Sequence, residues 1–297
     1  MPSHILLATR FSLLATFFML NDQHLALKSL RYRRKIIEII KHAGAGHTGG
    51  DLSCTDILNV LYNRILRVSP ATFTDPQRDR YVQSKGHCAE ALFAVLADKG
   101  FFPDADLFTM CQYQSHYVGH PTRHIAGVEQ NTGGLGHGLP MCVGMAIAGK
   151  LDNADYRVFT LMGDGELAEG SNWEAAMAAA HYKLKNLTAI VDCNTLQISG
   201  RTHEVMNNEP LAEKFAAFGW AVRTIDGHSI PELTAALQEP LANDKPSVVI
   251  ARTVKGKGVR FMEDVAKWHH GVPTDEEYTT ALAELDMAIA RLEGVAK

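Results

Sequence analysis

The segment LMGDGELAEGSNWEAAMAAAHYKLKNLTAIVDCNTLQISG, residues 161–200, decides the fold. An apolar run, YRVFTLM, ends on Gly163-Asp164-Gly165, and a second apolar run, LTAIVD, ends just before Asn194-Thr195-Leu196. Between them, residues 171–184 repeat apolar positions at helical spacing. A strand, a crossover helix and a second strand make the two strands parallel, so Asp164 and Asn194 leave the same edge of one sheet. The helix is expected to open on a capping box of Ser171 with Glu174 and to bury Trp173, Ala176, Met177, Ala180 and Leu184 as one face.

The alternation continues on both sides. Helices are expected at 25–42, 53–66 (with Asp51 or Ser53 as N-cap), 87–100, 134–150, 209–218, 231–238 and from 274 onward, with further strands in DRYVQS, WAVRTI and SVVIAR. Residues 101–133 carry no periodicity, and loops of that length in a compact domain are usually functional. Strands apolar on both faces, alternating with helices, predict an α/β fold: a parallel sheet flanked by helices on both faces, in a single domain over 21–297. Ligands in such sheets bind beyond the carboxyl ends of the strands.

That is where Asp164 and Asn194 fall. A carboxylate, an amide oxygen and a backbone carbonyl at Leu196 are three hard oxygen donors, an incomplete shell for Mg2+, which takes the remainder from phosphates and water. At an effective dielectric of about 20, two like charges roughly 4 Å apart repel by about 4 kcal/mol. A diphosphate beside Asp164 therefore needs a cation between them. Gly-Asp-Gly alone is an ordinary turn; its pairing with Asn194 across a crossover carries the signal.

This spacing resembles the diphosphate-binding motif of thiamine diphosphate enzymes. The segments AGAGHTGG, SKGHCAEAL, VGHP and TGGLGHG, in that order before the metal motif, are similar to the cofactor and substrate loops of transketolases, over about residues 25–280. The resemblance implies Asp164, Asn194 and the Leu196 carbonyl as metal ligands and the Gly165 amide on the diphosphate. It implies Gly133 and Leu135 against the cofactor rings, and Glu169 at a subunit contact. It implies His47, His87 and His120 around the reacting centre, with His87 and Asn194 also touching cofactor. TVKGKGVRFMEDVAKWHHGVP resembles the segment that closes over the diphosphate, with His270 taken as the contact and His269 as the fallback; Lys255 and Lys257 are either phosphate ligands or surface charges.

Two-carbon ketol transfer on thiamine diphosphate leaves positioning, proton shuttling and hydroxyl recognition to the protein, and neutral imidazoles serve all three. Two positions depart from the family pattern: Thr48 stands where Pro is common, and His137 where Gln is common. His137 has no assigned role, while His116, His124, His181 and His203 are read as structural or surface residues and His181 as a packing residue.

Full-length members of the family continue with a domain that cradles the aminopyrimidine and a further C-terminal domain. The resemblance thus implies the N-terminal subunit of a split transketolase. Its partner would be a C-terminal transketolase subunit with the pyrimidine domain, in a heterotetramer acting on sugar phosphates. The alternatives are the alpha-type subunit of a 2-oxo acid dehydrogenase, against which the GHTGG, SKGH and GHP set argues, and a non-catalytic thiamine diphosphate-binding protein.

Composition bounds the rest. The formal charge of -4 with no long basic block argues against nucleic acid. The basic residues Arg31, Arg33, Arg34 and Lys35 on the first helix read as a solvated face. Five scattered cysteines without a CxxC pair fit reduced thiols in the cytoplasm. The first twenty residues, MPSHILLATRFSLLATFFML, are interrupted by Arg10, and the apolar part from Phe11 to Leu20 is shorter than the about 20 residues a bilayer needs, so no membrane span is expected. They read as an extension of doubtful origin, with Met19 the natural start.

Overall fold

The computed structural model describes residues 21–295; the stretch 1–20, expected to be an extension, lies outside the described residues. The first helix, α1 (Asp22–Ala43), begins where the Asn21 side chain accepts the His24 amide at 2.8 Å, and ends at Gly44, whose φ of 67° is the left-handed C-terminal cap. Then come α2 (Thr48–Val60), β1 (Arg80–Gln83), α3 (Ala89–Asp98), α4 (Gly138–Leu151), β2 (Val158–Gly163), α5 (Gly170–His181) and β3 (Leu187–Cys193). The chain finishes with α6 (Leu211–Ala217), β4 (Ala221–Asp226), α7 (Ile230–Leu237), β5 (Ser247–Arg252) and α8 (Asp275–Val295).

All five strands are parallel, in the order β1-β2-β3-β5-β4. Period-two alternation divides the core. Phe159, Leu161, Ile190, Val249 and Ala251 point into the layer built on α1, α2 and α3, whereas Val158, Met162, Ala189, Val191, Val248 and Ile250 point into the layer of α4 and α5. This is the sheet flanked by helices that the sequence predicted. One strand departs from the pattern: β4, at the sheet edge, is mostly half-buried or exposed, whereas β1 at the other edge is mostly buried.

Several local expectations fail for tertiary reasons. α2 begins at Thr48, not Ser53, because the Gly49-Gly50 backbone packs as helix against Lys255, Trp268 and Cys88; Asp51 is buried in that helix, where its carboxylate accepts the Ala91 amide at 2.8 Å. α4 starts at Gly138 rather than 134, since the preceding glycines form a loop. The Ser171 hydroxyl donates to the Gly136 carbonyl at 2.7 Å instead of capping α5, and the buried face of α5 is Asn172, Ala175, Ala176 and Ala179, leaving Met177 exposed. His181 lies at the surface rather than packing.

Arg33 does not belong to a solvated face. It is buried, with its guanidinium 2.6 Å from the Asp56 carboxylate and 3.2 Å from the Leu52 carbonyl. Burial alone would raise the Asp56 pKa, but Arg33 and His228 outweigh it and hold the carboxyl well below the usual range. Removing one partner of such a pair strands a buried charge. Arg33→Ala should lower stability by about 3 kcal/mol in urea titration, somewhat less than for an isolated pair because His228 still faces Asp56.

Candidate active site

The register pairs Gly163 of β2 with Asp192 of β3, so the two strands end side by side. Asp164 and Asn194 leave those ends, both almost fully buried. The Asp164 carboxylate accepts the Gly165 amide at 2.8 Å and the Thr195 amide at 2.6 Å, while Asn194 Oδ1 accepts the Leu196 amide at 3.1 Å. Thr195 holds φ at 64°, strained for a β-branched residue, in the turn between Asn194 and Leu196. Asp164, Gly165, Asn194 and Leu196 all line one cavity of ≈ 360 Å³.

Under the cavity floor, Asp192 accepts from Ser53 Oγ at 2.6 Å, Asn194 Nδ2 at 3.3 Å, the Thr253 hydroxyl and the Lys85 ammonium. Burial raises the Asp164 pKa to about 6, with Asp192 adding to the rise. Asp192 is paired with Lys85, whereas the Asp164 carboxylate accepts backbone amides; with the Asn194 amide oxygen and the Leu196 carbonyl it is a set of hard oxygen donors that fits a divalent cation. Among the described residues no group of three or more His, Cys, Asp or Glu side chains is arranged to hold a metal, and this set, with a single carboxylate, is not of that kind.

His47, His87, Gly133 and Leu135 line the same cavity. Gly133 has φ of 143°, and a Cβ there would lie 2.7 Å from the His120 ring, so only glycine allows the loop to lie against that histidine. The rings of His87, His120, His269 and His270 stand 5.0, 6.3, 5.7 and 4.8 Å from that of His47, centre to centre. Burial holds the His47 pKa down to about 4, with His270, His120, Lys255 and Lys85 acting in the same sense; burial likewise lowers those of His87 and His120. The lowering keeps these rings in the uncharged form, in which one nitrogen donates and the other accepts a hydrogen bond.

The two histidines of the WHHG segment are placed differently. His269 lines the cavity, lies nearly parallel to the His87 ring at 5.5 Å, and has Nδ1 2.8 Å from Lys255 Nζ; burial, with Lys255 next, lowers its pKa to about 3. His270 is exposed. Lys255 is buried, donates to the Leu196 carbonyl at 2.8 Å, and has its pKa lowered to about 8 by burial and Lys85. Lys257 faces Glu263 at 3.5 Å. Glu169, the first residue before α5, is exposed beside Gly136. His137 turns Nδ1 to the Gly134 and Leu135 carbonyls, at 3.2 and 3.0 Å, and so braces its own loop. The Thr48 hydroxyl donates to the Gly271 carbonyl at 2.6 Å, which Pro in that position would not do. His116, His124 and His203 are exposed.

Sequence reasoning missed Glu166. It is buried and accepts the Gly136 and Gly163 amides, each at 3.0 Å, and the Ser84 hydroxyl, tying together three segments of the cavity wall. The available signal was a glutamate two residues after Asp164, in a stretch otherwise flanked by apolar residues.

Residues 25–287 match the family model for the thiamine diphosphate binding domain of transketolase. The chain belongs to the transketolase family. It is 49% identical over 270 residues to a subunit of the apulose-4-phosphate transketolase of Phocaeicola vulgatus, covering 91% of this chain and 96% of that protein. Human transketolase is 40% identical over 247 residues, which cover 82% of this chain but 39% of the human protein. The crystal structure of Campylobacter jejuni transketolase superposes with a TM-score of 0.79 at 29% identity, over 93% of this chain and 48% of that one. The chain thus spans nearly all of the Phocaeicola subunit and less than half of the human and Campylobacter proteins. Membership in this family, expected from the glycine-histidine loops, excludes the dehydrogenase alternative.

The depressed histidine pKa has a measurable consequence. Between pH about 4 and the ordinary 6.5, the unfolded chain carries a proton on His47 that the folded chain does not, so this residue's contribution to stability is lost as pH falls through that window. Asp164 acts oppositely: its raised pKa stabilises the fold at low pH, and that contribution is lost as pH rises through about 6. Comparing wild type with His47→Asn cancels the second effect. On acidification from pH 7 to pH 4 in scanning calorimetry, the variant should lose less Tm than wild type; equal losses would show that His47 is not held neutral.

Proposed function

We propose that this chain is the N-terminal subunit of a thiamine diphosphate- and Mg2+-dependent transketolase that transfers a two-carbon ketol unit between sugar phosphates. The observation that carries the reading is the convergence of Asp164, Asn194 and the Leu196 carbonyl in one cavity with neutral histidines. Relatives named as separate transketolase subunits, which match this chain nearly end to end, support it.

Thiamine diphosphate, when bound, supplies the carbon nucleophile and stores the two-carbon unit between donor and acceptor. Asp164, Asn194 and the Leu196 carbonyl hold the cation, and Lys255 offers its ammonium to the diphosphate. The Gly165 amide, which donates to Asp164 here, would be a donor to the diphosphate. Gly133, Leu135 and His87 flank the cofactor. His47, His87 and His120 hold and move protons on the sugar hydroxyls, with uncharged rings able both to donate and to accept. Of the WHHG pair, His269 is the cofactor-side residue, because it lines the cavity; His270 sits at the mouth against His47, where an incoming sugar phosphate passes.

Glu169 is exposed beside Gly136, which suits a contact with a C-terminal subunit carrying the pyrimidine domain. A surface for assembly is also present. α4 has one charged residue, Lys150, in 14 residues, yet Gly144, Ala148 and Leu151 are exposed, and Met177 of neighbouring α5 is exposed too. A helix apolar all round is ordinarily buried. We assign this face to the centre of a heterotetramer of two pairs. The domain is read as spanning 21–297. A cytoplasmic setting is supported by five cysteines that are all free thiols; among the described residues, no helix is long and apolar enough to cross a membrane.

The test is ketol transfer from a ketose phosphate with Mg2+ and thiamine diphosphate, titrating in the product of the adjacent gene as the candidate partner. Activity should appear only with the partner and saturate at equal stoichiometry; a complex that binds cofactor without transfer would favour the non-catalytic alternative. Asp164→Ala and Asn194→Ala should abolish Mg2+-dependent cofactor binding in calorimetry while the circular dichroism spectrum is retained. Normal affinity in either variant would remove the metal assignment.

A further inference from the structure

Behind the cavity, Asp226-Gly227-His228-Ser229 joins β4 to α7, and nothing in the proposed chemistry uses it. The His228 ring is largely buried, with Nδ1 2.8 Å from the Asp56 carboxylate and Nε2 accepting the Val254 amide at 2.9 Å. A backbone amide only donates, so Nε2 carries the lone pair and the ring proton sits on Nδ1, facing Asp56. Asp56 is itself fixed by Arg33. A buried ion pair therefore sets the tautomer of a neutral imidazole, whose other nitrogen is given to one backbone amide.

That amide belongs to the residue before Lys255. From there the chain turns sharply: Gly256 donates to the Gly49 carbonyl at 2.9 Å, and the Lys255 carbonyl accepts the Asp264 amide at 2.8 Å. The Lys255 side chain reaches the Leu196 carbonyl and His269, both at 2.8 Å. The contact between the two turns is close: a Cβ at Gly227 would lie 2.5 Å from Thr253 Cγ2 and 3.0 Å from Ala251 Cβ. Of the side chains here, the imidazole alone bridges Asp56 to Val254, because it presents a donor and an acceptor on opposite sides of a rigid ring.

We infer that His228 is a positioning residue of the cofactor site. By fixing the Val254 amide it aims the Lys255 ammonium at the Leu196 carbonyl and at His269. A lysine loses rotamer entropy when it is held at a ligand, and anchoring its backbone reduces the ordering left to be done when an anionic ligand arrives. His228 touches neither metal nor cofactor; it acts through Lys255. The inference rests on the reading of this cavity as a thiamine diphosphate site.

Two substitutions separate the halves of the bridge. In His228→Asn the amide group reaches Asp56 but stops short of Val254; in His228→Gln the longer side chain again offers an oxygen to the Val254 amide. Hydrogen exchange on the full chain reports that amide directly, without ligand. Titration of Mg2+ with thiamine diphosphate into the full chain complexed with its partner subunit reports the site.

H228N should exchange about tenfold faster over residues 253–256 and bind cofactor about tenfold more weakly, with Tm little changed; H228Q should recover both to within about threefold of wild type. Wild-type protection in H228N, or fast exchange with unchanged affinity, would overturn the positioning role. If H228N does not fold, H228Q decides: cofactor affinity near that of wild type supports the role, and a tenfold loss despite a folded protein, about 1.4 kcal/mol, overturns it. Failure of the wild-type complex to bind cofactor, with normal amide protection, would overturn the functional reading itself and with it this inference.

Discussion

The buried ion pair of Lys85 and Asp192 is the constraint on which the site depends. Both side chains are almost wholly excluded from solvent, and burial penalises each charge. The penalty is offset because the carboxylate collects donors from four segments: Ser53 of α2, Lys85 beyond β1, Asn194 beyond β3 and Thr253 beyond β5. Such pairs contribute little net stability, but they tolerate only one arrangement. Here that arrangement holds the strand ends together and turns the Asn194 amide so that its nitrogen faces Asp192 and its oxygen faces the cavity side.

Two further buried polar groups extend the same logic to the walls. Glu166 binds the loops after β1, before α4 and after β2 through one carboxylate, and Arg33, Asp56 and His228 carry the register of α1 and α2 to the turn after β5. The cavity is therefore braced by buried polar groups, of which Lys85 and Glu166 also line it. Irregular backbone, including the strained Thr195, is stable there because its amides are taken up by carboxylates. The histidines above this frame are kept neutral by burial, while Lys85 and Lys255 supply the positive potential an anionic cofactor needs.

The parallel sheet and the pairing of Asp164 with Asn194 were legible in the sequence, since strand-helix-strand alternation permits one relative direction for the strands and both residues follow apolar runs. Local patterns mattered less where packing competed. Ser171 resembles a capping residue, but the Gly136 carbonyl is closer; Arg33 looks like part of a solvated stripe, but its partner Asp56 lies on α2, out of reach of any local rule. The WHHG pair shows the same limit, because consecutive residues outside regular structure have no periodicity to say which one faces inward.

Sequence by itself determined the fold class, through the order of apolar runs, and the family, through the glycine-histidine loop motifs, and it put Asp164 and Asn194 at adjacent strand ends. Tertiary structure alone decided that His269 lines the cavity, that Glu166 braces it, and that His228 holds the turn bearing Lys255. The last of these depends on contacts between residues 26 and 172 positions apart, Val254 with His228 and His228 with Asp56, fixed by the need to satisfy buried polar groups rather than by any local propensity.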